Sequence, residues 1–344
     1  MGRQGVRGAG RSKGGWKRRG EVTGRMGMEQ GQGGQSTALK EAEEPGPAQL
    51  LDRLEVVTLP SLLPTGLPLK NCAEQNQLPI HFWPDTGPSH QFDVGVVASF
   101  GRLLGEELIL QFPYGVLNVH PSYLPRWRGS APVIHTVLHG DTVTGVTIMQ
   151  IKPKRFDVGP IVKQEKFAVP LGCTTKELEG MLSKLGADML ISVLANFPEC
   201  LKNKREQPEE GVTFAPKISS AAHCIKWEEQ TPEEILRLHR AIGTEVRQSG
   251  TCLFTLVQPL PGSISYHKAS QTLVVCCKGG WVGVKAVVWK KKLTAADFYN
   301  GYMHSWFRQT SRMFCEECRF QTLRVAAAKE KRKGTTGVQC EINT

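Results

Sequence analysis

The chain has 344 residues, of which 40% are hydrophobic and 22% charged, and it carries a formal net charge of +11. That suffices for two ordinary domains with a sizeable core, and with no apolar run near the roughly 18 residues a membrane helix needs, no spanning segment and no membrane partner are expected. The basic balance suits a polyanionic partner, although residues 1–35 and "KEKRK" (329–333) hold much of the excess. Ten cysteines at irregular spacings fit a reducing compartment, and Cys315-Glu-Glu-Cys318 has the spacing of half a zinc site with no second pair, so no metal is expected.

Residues 1–49 are basic, Gly-rich and poor in apolar residues, and read as a disordered tail. They are also Arg-rich and acid-poor, as mitochondrial transit peptides are. "LEVVTL" (54–59) and "DVGVVAS" (93–99) read as buried strands, separated by a Pro/Gly-rich loop, a short helix at "NCAEQNQ" and "LPIHFW". "GVLNVH" (115–120) is a further strand, and "PVIHTVLHG" a helix opened by Ser130 and Pro132 and closed by Gly140. "TGVTIMQI" (144–151) and "PIVKQEKFAV" are strands. Thr174 then starts a long helix whose Glu177 completes a capping box, with Leu178, Leu182, Leu185, Met189 and Leu190 on one face. Alternating strands and helices predict an α/β domain over 50–202 with a Rossmann-like, mostly parallel sheet.

A polar linker follows at 203–210. "TPEEI" (231–235) makes a capped helix start, and beyond residue 250 "TCLFTLVQ", "SISYH" and "QTLVVCCKGGWVGVKAVV" are strand-like, the last with a Gly279-Gly280 hairpin turn. A small OB-like β-barrel is the natural reading of 211–325, with a disordered tail over 326–344.

Asn118 and His120 are two apart on one strand, so their side chains point the same way. In a parallel α/β sheet ligands bind beyond the carboxyl ends of the strands, and an amide beside an imidazole there can stabilise an oxyanion while the His handles a proton. The best carboxylate to orient the His is Asp157 in "RFDVGPI". Spacing alone fits a loop-capping pair better than a catalytic one. By themselves the residues reach acyl-type chemistry at a strand end as one reading and go no further.

The stretch "NVHPSYLPRWRGSAPV" resembles the Asn-x-His…Ser-Leu-Leu-Pro-x-x-x-Gly loop of the formyltetrahydrofolate-dependent formyltransferases, and "TGVTIMQIKPKRFDVGPIV" resembles that family's second signature. "PRWRGSAP" and "GVTFAPKIS…CIKWEEQT" are similar to the members that act on methionyl initiator tRNA in mitochondria, and the likeness runs over roughly residues 50–325. The resemblance implies transfer of a formyl group from 10-formyltetrahydrofolate, as co-substrate, to the α-amino group of methionine on initiator tRNA, in the mitochondrial matrix, by a monomer. It implies that Asn118 and His120 stabilise the oxyanion and that Asp157 sets the His protonation state and helps move the amine proton. Ser122, Tyr123, Leu124 and Pro125 correspond to the folate-contacting segment, with Tyr123 where Leu is usual.

Arg126 and Arg128 beside Trp127 suit a tRNA acceptor end, with Arg on phosphates and Trp on a base; the alternative is that Trp127 packs the loop while an Arg pairs with a carboxylate. Lys290, Lys291 and Lys292 are a second candidate for tRNA contact. His135 and His139, one helical turn apart, read as structural. The family's first, central strand has no counterpart in residues 1–49, so the chain looks like a variant lacking it. Two alternatives stay open: another formyltetrahydrofolate-dependent formyltransferase, or an inactive fragment.

Overall fold

The computed structural model describes residues 4–7, 50–61, 67–243, 260–288, 292–304 and 320–322. They form two compact units, one ending at Lys217 and the other starting at Ile218, the second also taking in Val137–Gly140.

The first unit is built on a seven-stranded sheet. Its strands are β1 (Gln4–Arg7), β2 (Glu55–Thr58), β3 (Ile80–Phe82), β4 (Gly95–Ala98), β5 (Val116–His120), β6 (Val143–Gln150) and β7 (Ile161–Ala168), in the order β3-β2-β1-β4-β5-β6-β7. The pairs β2–β3 and β4–β5 are parallel and the other four pairs antiparallel, so β2, β3, β4, β5 and β7 share one direction while β1 and β6 oppose it. The common direction of the five is the parallel framework expected from the alternating pattern.

The place left for a missing first strand is filled. Gln4–Arg7 lies between β2 and β4 and pairs antiparallel with both. This corrects the expectation that nothing before residue 50 enters the sheet. Two buried neighbours would otherwise present unpaired backbone edges, and that demand outweighs a segment's weak intrinsic preference for strand.

Helices cover the sheet: α1 (Pro68–Gln75), α2 (Glu106–Leu110), α3 (Pro132–His139) and α4 (Thr175–Ala195). The α4 start is as expected: the Thr174 side chain accepts from Glu177 N–H, and the Glu177 carboxylate accepts from Thr174 N–H. Leu178, Leu182, Met189 and Leu190 are buried, each stabilising by roughly 1.5–3 kcal/mol. Gly186 lets α4 approach closely, since a Cβ there would stand 2.9 Å from Val119 Cγ1. The other face is filled by Phe92, Ile109, Phe112 and Val116. Strand parity therefore assigns the faces of β5: Val119 looks at α4, while Val116, Asn118 and His120 look away from it.

The polar stretch after α4 is tied to this unit. Arg205 exchanges backbone hydrogen bonds with Ile161, and Thr213 and Ala215 run beside Arg128.

In the second unit α5 (Pro232–Ile242) starts at the expected Thr231–Glu234 capping box. β8 (Ile264–His267), β9 (Thr272–Cys277) and β10 (Gly280–Val284) form a three-stranded antiparallel sheet, the β9–β10 hairpin turning at Gly279. β11 (Ala286–Val288) pairs with β12 (Lys292–Thr294), which leads into α6 (Ala295–Phe298). Trp227, Ile235, Leu273, Val275, Phe298 and Phe320 fill the core. Among the described residues these strands make two separate sheets and close no barrel; "TCLFTLVQ" (251–258) lies outside them.

Candidate active site

Sheet register brings the polar residues together. His120 pairs with Thr147, Asn118 with Met149, and Thr147 in turn with Gln164 of β7. Residues opposite one another share a face, so Asn118, His120, Thr147 and Gln164 lie in one patch on the face away from α4. The loop after β5 is tied down on it. Leu124 N–H donates to Thr147 Oγ1 (3.1 Å), Thr147 Oγ1 donates to the Ser122 carbonyl (2.7 Å), and Gln164 Nε2 donates to the Leu124 carbonyl (2.7 Å).

His120 is buried, with 4% of its surface exposed. Its Nε2 lies 3.0 Å from the Trp127 carbonyl oxygen. A carbonyl only accepts, so Nε2 carries a proton and Nδ1 is the position left for proton transfer. Nδ1 faces Asp157, whose Oδ1 is 3.8 Å away. Asn118 Nδ2 donates to the same oxygen at 3.4 Å, and Gly129 N–H donates to Oδ2 at 2.8 Å. Asn118 and His120 are thus each within 4 Å of the Asp157 carboxylate.

Asp157 is held against a local preference. Its φ is +50° and that of Lys154 in the same loop is +62°, conformations costing on the order of 1–3 kcal/mol each for residues with a Cβ. Gly159 passes so close to β6 that a Cβ would stand 1.7 Å from the Gln150 carbonyl oxygen. Gln207 supplies outside support: its Nε2 donates to the carbonyls of Asp157 and Gly159, each at 2.9 Å. Its Oε1 accepts from Arg128 Nε (3.1 Å) and Nη2 (2.7 Å).

Within the Arg-Trp-Arg run the tryptophan is enclosed, while the Arg126 side chain keeps 41% of its surface exposed. Trp127 is 5% exposed, its Nε1–H donates to Asp141 at 2.7 Å, and the Arg126 guanidinium lies 4.3 Å from the ring centroid. A ring so enclosed has no face for a base. Arg126 makes a two-pronged contact with Asp141 (2.8 and 2.6 Å), and these bonds hold its guanidinium above its usual pKa. Burial lowers that of Arg128, against the attraction of Asp157. The expectation of base stacking by Trp127 is therefore replaced by the loop-packing alternative. Lys292 is exposed on β12, while Lys290 and Lys291 lie outside the described residues, as do Cys315 and Cys318.

Of the expected folate segment, Ser122 and Leu124 are buried, the Ser122 hydroxyl donating to the Arg126 carbonyl at 2.8 Å. Tyr123 and Pro125 are half-buried, with Lys166 Nζ 5.3 Å from the Tyr123 ring centroid. An apolar cavity of about 40 Å³, unforeseen in the sequence, lies on the same face of the sheet as His120. Val97, Phe100, Leu104, Leu108, Phe112 and Val116 are among the residues lining it. His135, read as structural, bonds the Pro216 carbonyl at 3.0 Å and lies beside Trp127.

Comparison with known proteins places the chain in a family. Residues 79–194 match the formyl transferase family and residues 217–303 the formyl transferase C-terminal domain. The mitochondrial methionyl-tRNA formyltransferase of Homo sapiens is 57% identical over 324 residues, covering 88% of this chain and 83% of that protein. The corresponding protein of Bos taurus is 56% identical over 323 residues, with the same coverage. Among solved structures, an N-formyltransferase of Helicobacter canadensis, in complex with folinic acid and dTDP-3-aminofucose, aligns at TM-score 0.48 and 17% identity. It covers 65% of this chain and 82% of that one, a likeness too slight to bear on substrate. With the site residues gathered on one sheet face and both parts of the chain matched in order, the chain belongs to the formyl transferase family, alongside the mitochondrial methionyl-tRNA formyltransferases.

Proposed function

We propose that the chain transfers the formyl group of 10-formyltetrahydrofolate to the α-amino group of methionine on initiator tRNA, in mitochondria, and that Asn118, His120 and Asp157 carry the reaction. The observation that carries this reading is the 57% identity over 88% of the chain to a mitochondrial methionyl-tRNA formyltransferase, joined to a site in which those three side chains share one carboxylate.

The methionyl amine attacks the formyl carbon, a C–N bond forms, and the electron pair of the carbonyl moves onto oxygen. Asn118 keeps one amide N–H for that oxyanion besides the one directed at Asp157, and preorganised donors of this kind are worth about 10²–10³ in rate. His120, with Nε2–H fixed on the Trp127 carbonyl, takes the amine proton at Nδ1. The Asp157 carboxylate, 3.8 Å away, stabilises the imidazolium that results. The same proton then passes to the folate nitrogen as its bond to the formyl carbon breaks, leaving formylmethionyl-tRNA and tetrahydrofolate.

We assign the co-substrate to the crevice on the face of the sheet that bears His120; the apolar cavity bounded by Val97, Leu104, Leu108 and Val116, of about 40 Å³, is too small to hold its heterocycle. Tyr123 and Pro125, half-buried in the loop after β5, are assigned to the border of that crevice, while Ser122 and Leu124 serve by shaping the loop. Of Lys290, Lys291 and Lys292 in the second unit, Lys292, exposed on β12, is the described residue assigned to tRNA phosphate.

Formylation of methionyl initiator tRNA by the purified chain, with 10-formyltetrahydrofolate, tests the reading. His120→Ala and Asp157→Asn should each lower kcat by at least about 10² with folding intact. Full activity in either variant would overturn the assignment of that residue, and no activity in the unsubstituted chain would overturn the function.

A further inference from the structure

We propose that Gln207 is a positioning residue for the reaction: it holds the loop bearing Asp157 where the carboxylate stabilises the His120 imidazolium. The inference rests on the reading above, in which Asp157 acts through His120.

Two loops flank His120. One, after β5, supplies the Trp127 carbonyl to Nε2 and the Gly129 N–H to Asp157. The other, between β6 and β7, carries Asp157 itself. Gln207 bridges them, taking Arg128 of the first loop on its amide oxygen and the carbonyls of Asp157 and Gly159 on its amide nitrogen. These partners leave the amide one orientation: guanidinium donors must meet oxygen and carbonyls must meet nitrogen. Gln207 reaches the main chain of Asp157 rather than its carboxylate, so it acts on position and leaves the charge alone. That main chain is where help is needed, because Asp157 and Lys154 hold left-handed φ values that the loop would relax if released. A relaxation of about 1 Å is enough to cost on the order of 10² in rate.

The hydrogen bonds of Gln207 go to Arg128, Met149, Asp157 and Gly159, none of which lines the cavity, so its loss should lower kcat and leave both KM values near those of the parent. Two variants separate positioning from mere cohesion. Gln207→Met removes the hydrogen bonds to Arg128, Asp157 and Gly159 at similar size. Gln207→Glu keeps an acceptor for Arg128, now as an ion pair, and sets a carboxylate oxygen against the carbonyls of Asp157 and Gly159. If the bridge only holds the chain together, Gln207→Glu retains activity and Gln207→Met does not. If it positions Asp157, both lose about tenfold to a hundredfold in kcat. Gln207→Met then costs little more in an Asp157→Asn background, since coupled residues are not additive.

The His120 ring signals in NMR give a readout independent of turnover: Gln207→Met should move them in the direction that Asp157→Asn does. Near-parental kcat in Gln207→Glu, an undiminished cost in the Asp157→Asn background, or unmoved ring signals would overturn the proposal. Should the parent chain not formylate methionyl-tRNA, the functional reading alone fails, and the ring signals still decide whether Gln207 positions Asp157.

Discussion

Gly159 sits where the Asp157 loop turns back onto β6, and its absent side chain is a condition of the site. A Cβ there would stand 1.7 Å from the Gln150 carbonyl oxygen, and that oxygen is backbone at the end of a strand. Neither partner can yield without moving the loop. Gly159→Ala is therefore expected to destabilise the first unit by roughly 3 kcal/mol, at the high end for one substitution, as read by urea denaturation. It should also lower kcat by about 10², because Asp157 moves with the loop. A variant with parental stability would show that the close approach is not maintained in solution. Of the three residues proposed to act, Asn118 and His120 could be paired from the sequence because they stand two positions apart on one strand, while Asp157, 37 residues beyond His120, joined them there chiefly through the family resemblance. Gln207 could not be, since the polar stretch around it carries no periodicity, and only the fold brings it to Arg128 and Asp157. The role of Trp127 was likewise decided by Asp141, whose carboxylate binds the indole and Arg126 together.

Among elements, β1 contrasts most with α4. The long helix was legible in full because a capping box, a 3.6-residue stripe and a run of good helix formers all agree. β1 was not legible: Gln4–Arg7 is short, with a single β-branched residue, and what places it is the pair of open strand edges on either side. Tertiary context of this kind leaves no mark on the local sequence. The structure makes β1 accountable for both ladders at the sheet centre. Each of those hydrogen bonds contributes about 0.5–1.5 kcal/mol net. Removing residues 1–9 should thus lower the melting temperature of the first unit on the order of 10 °C, followed by circular dichroism, with a broader transition. An unchanged transition would mean that β2 and β4 do not depend on that strand.

Over the molecule as a whole, the formal charge of +11 is unevenly available. Lys152, Lys154, Lys202, Lys226 and Arg237 are each ion-paired with a glutamate, and Arg126 and Arg128 are held by Asp141 and Gln207. Binding of initiator tRNA, if driven by the remaining cations, should weaken tenfold or more between about 50 and 200 mM salt. Arg128→Gln should leave the slope of that dependence unaltered while lowering kcat, as a filter-binding series beside the formylation assay would reveal. A reduced slope would return Arg128 to the tRNA surface. The alternation of β5 and β6 also sets limits on how such a chain can change over evolutionary time. With His120 and Thr147 on one face and Val119 and Ile148 on the other, a single inserted or deleted residue in either strand exchanges the two rows, sending imidazole into the packing against α4 and valine into the crevice. A change of two residues preserves parity. Lineages descended from this arrangement can accept substitutions along both strands, but length changes within them are confined to even numbers, and odd ones must fall in the loops.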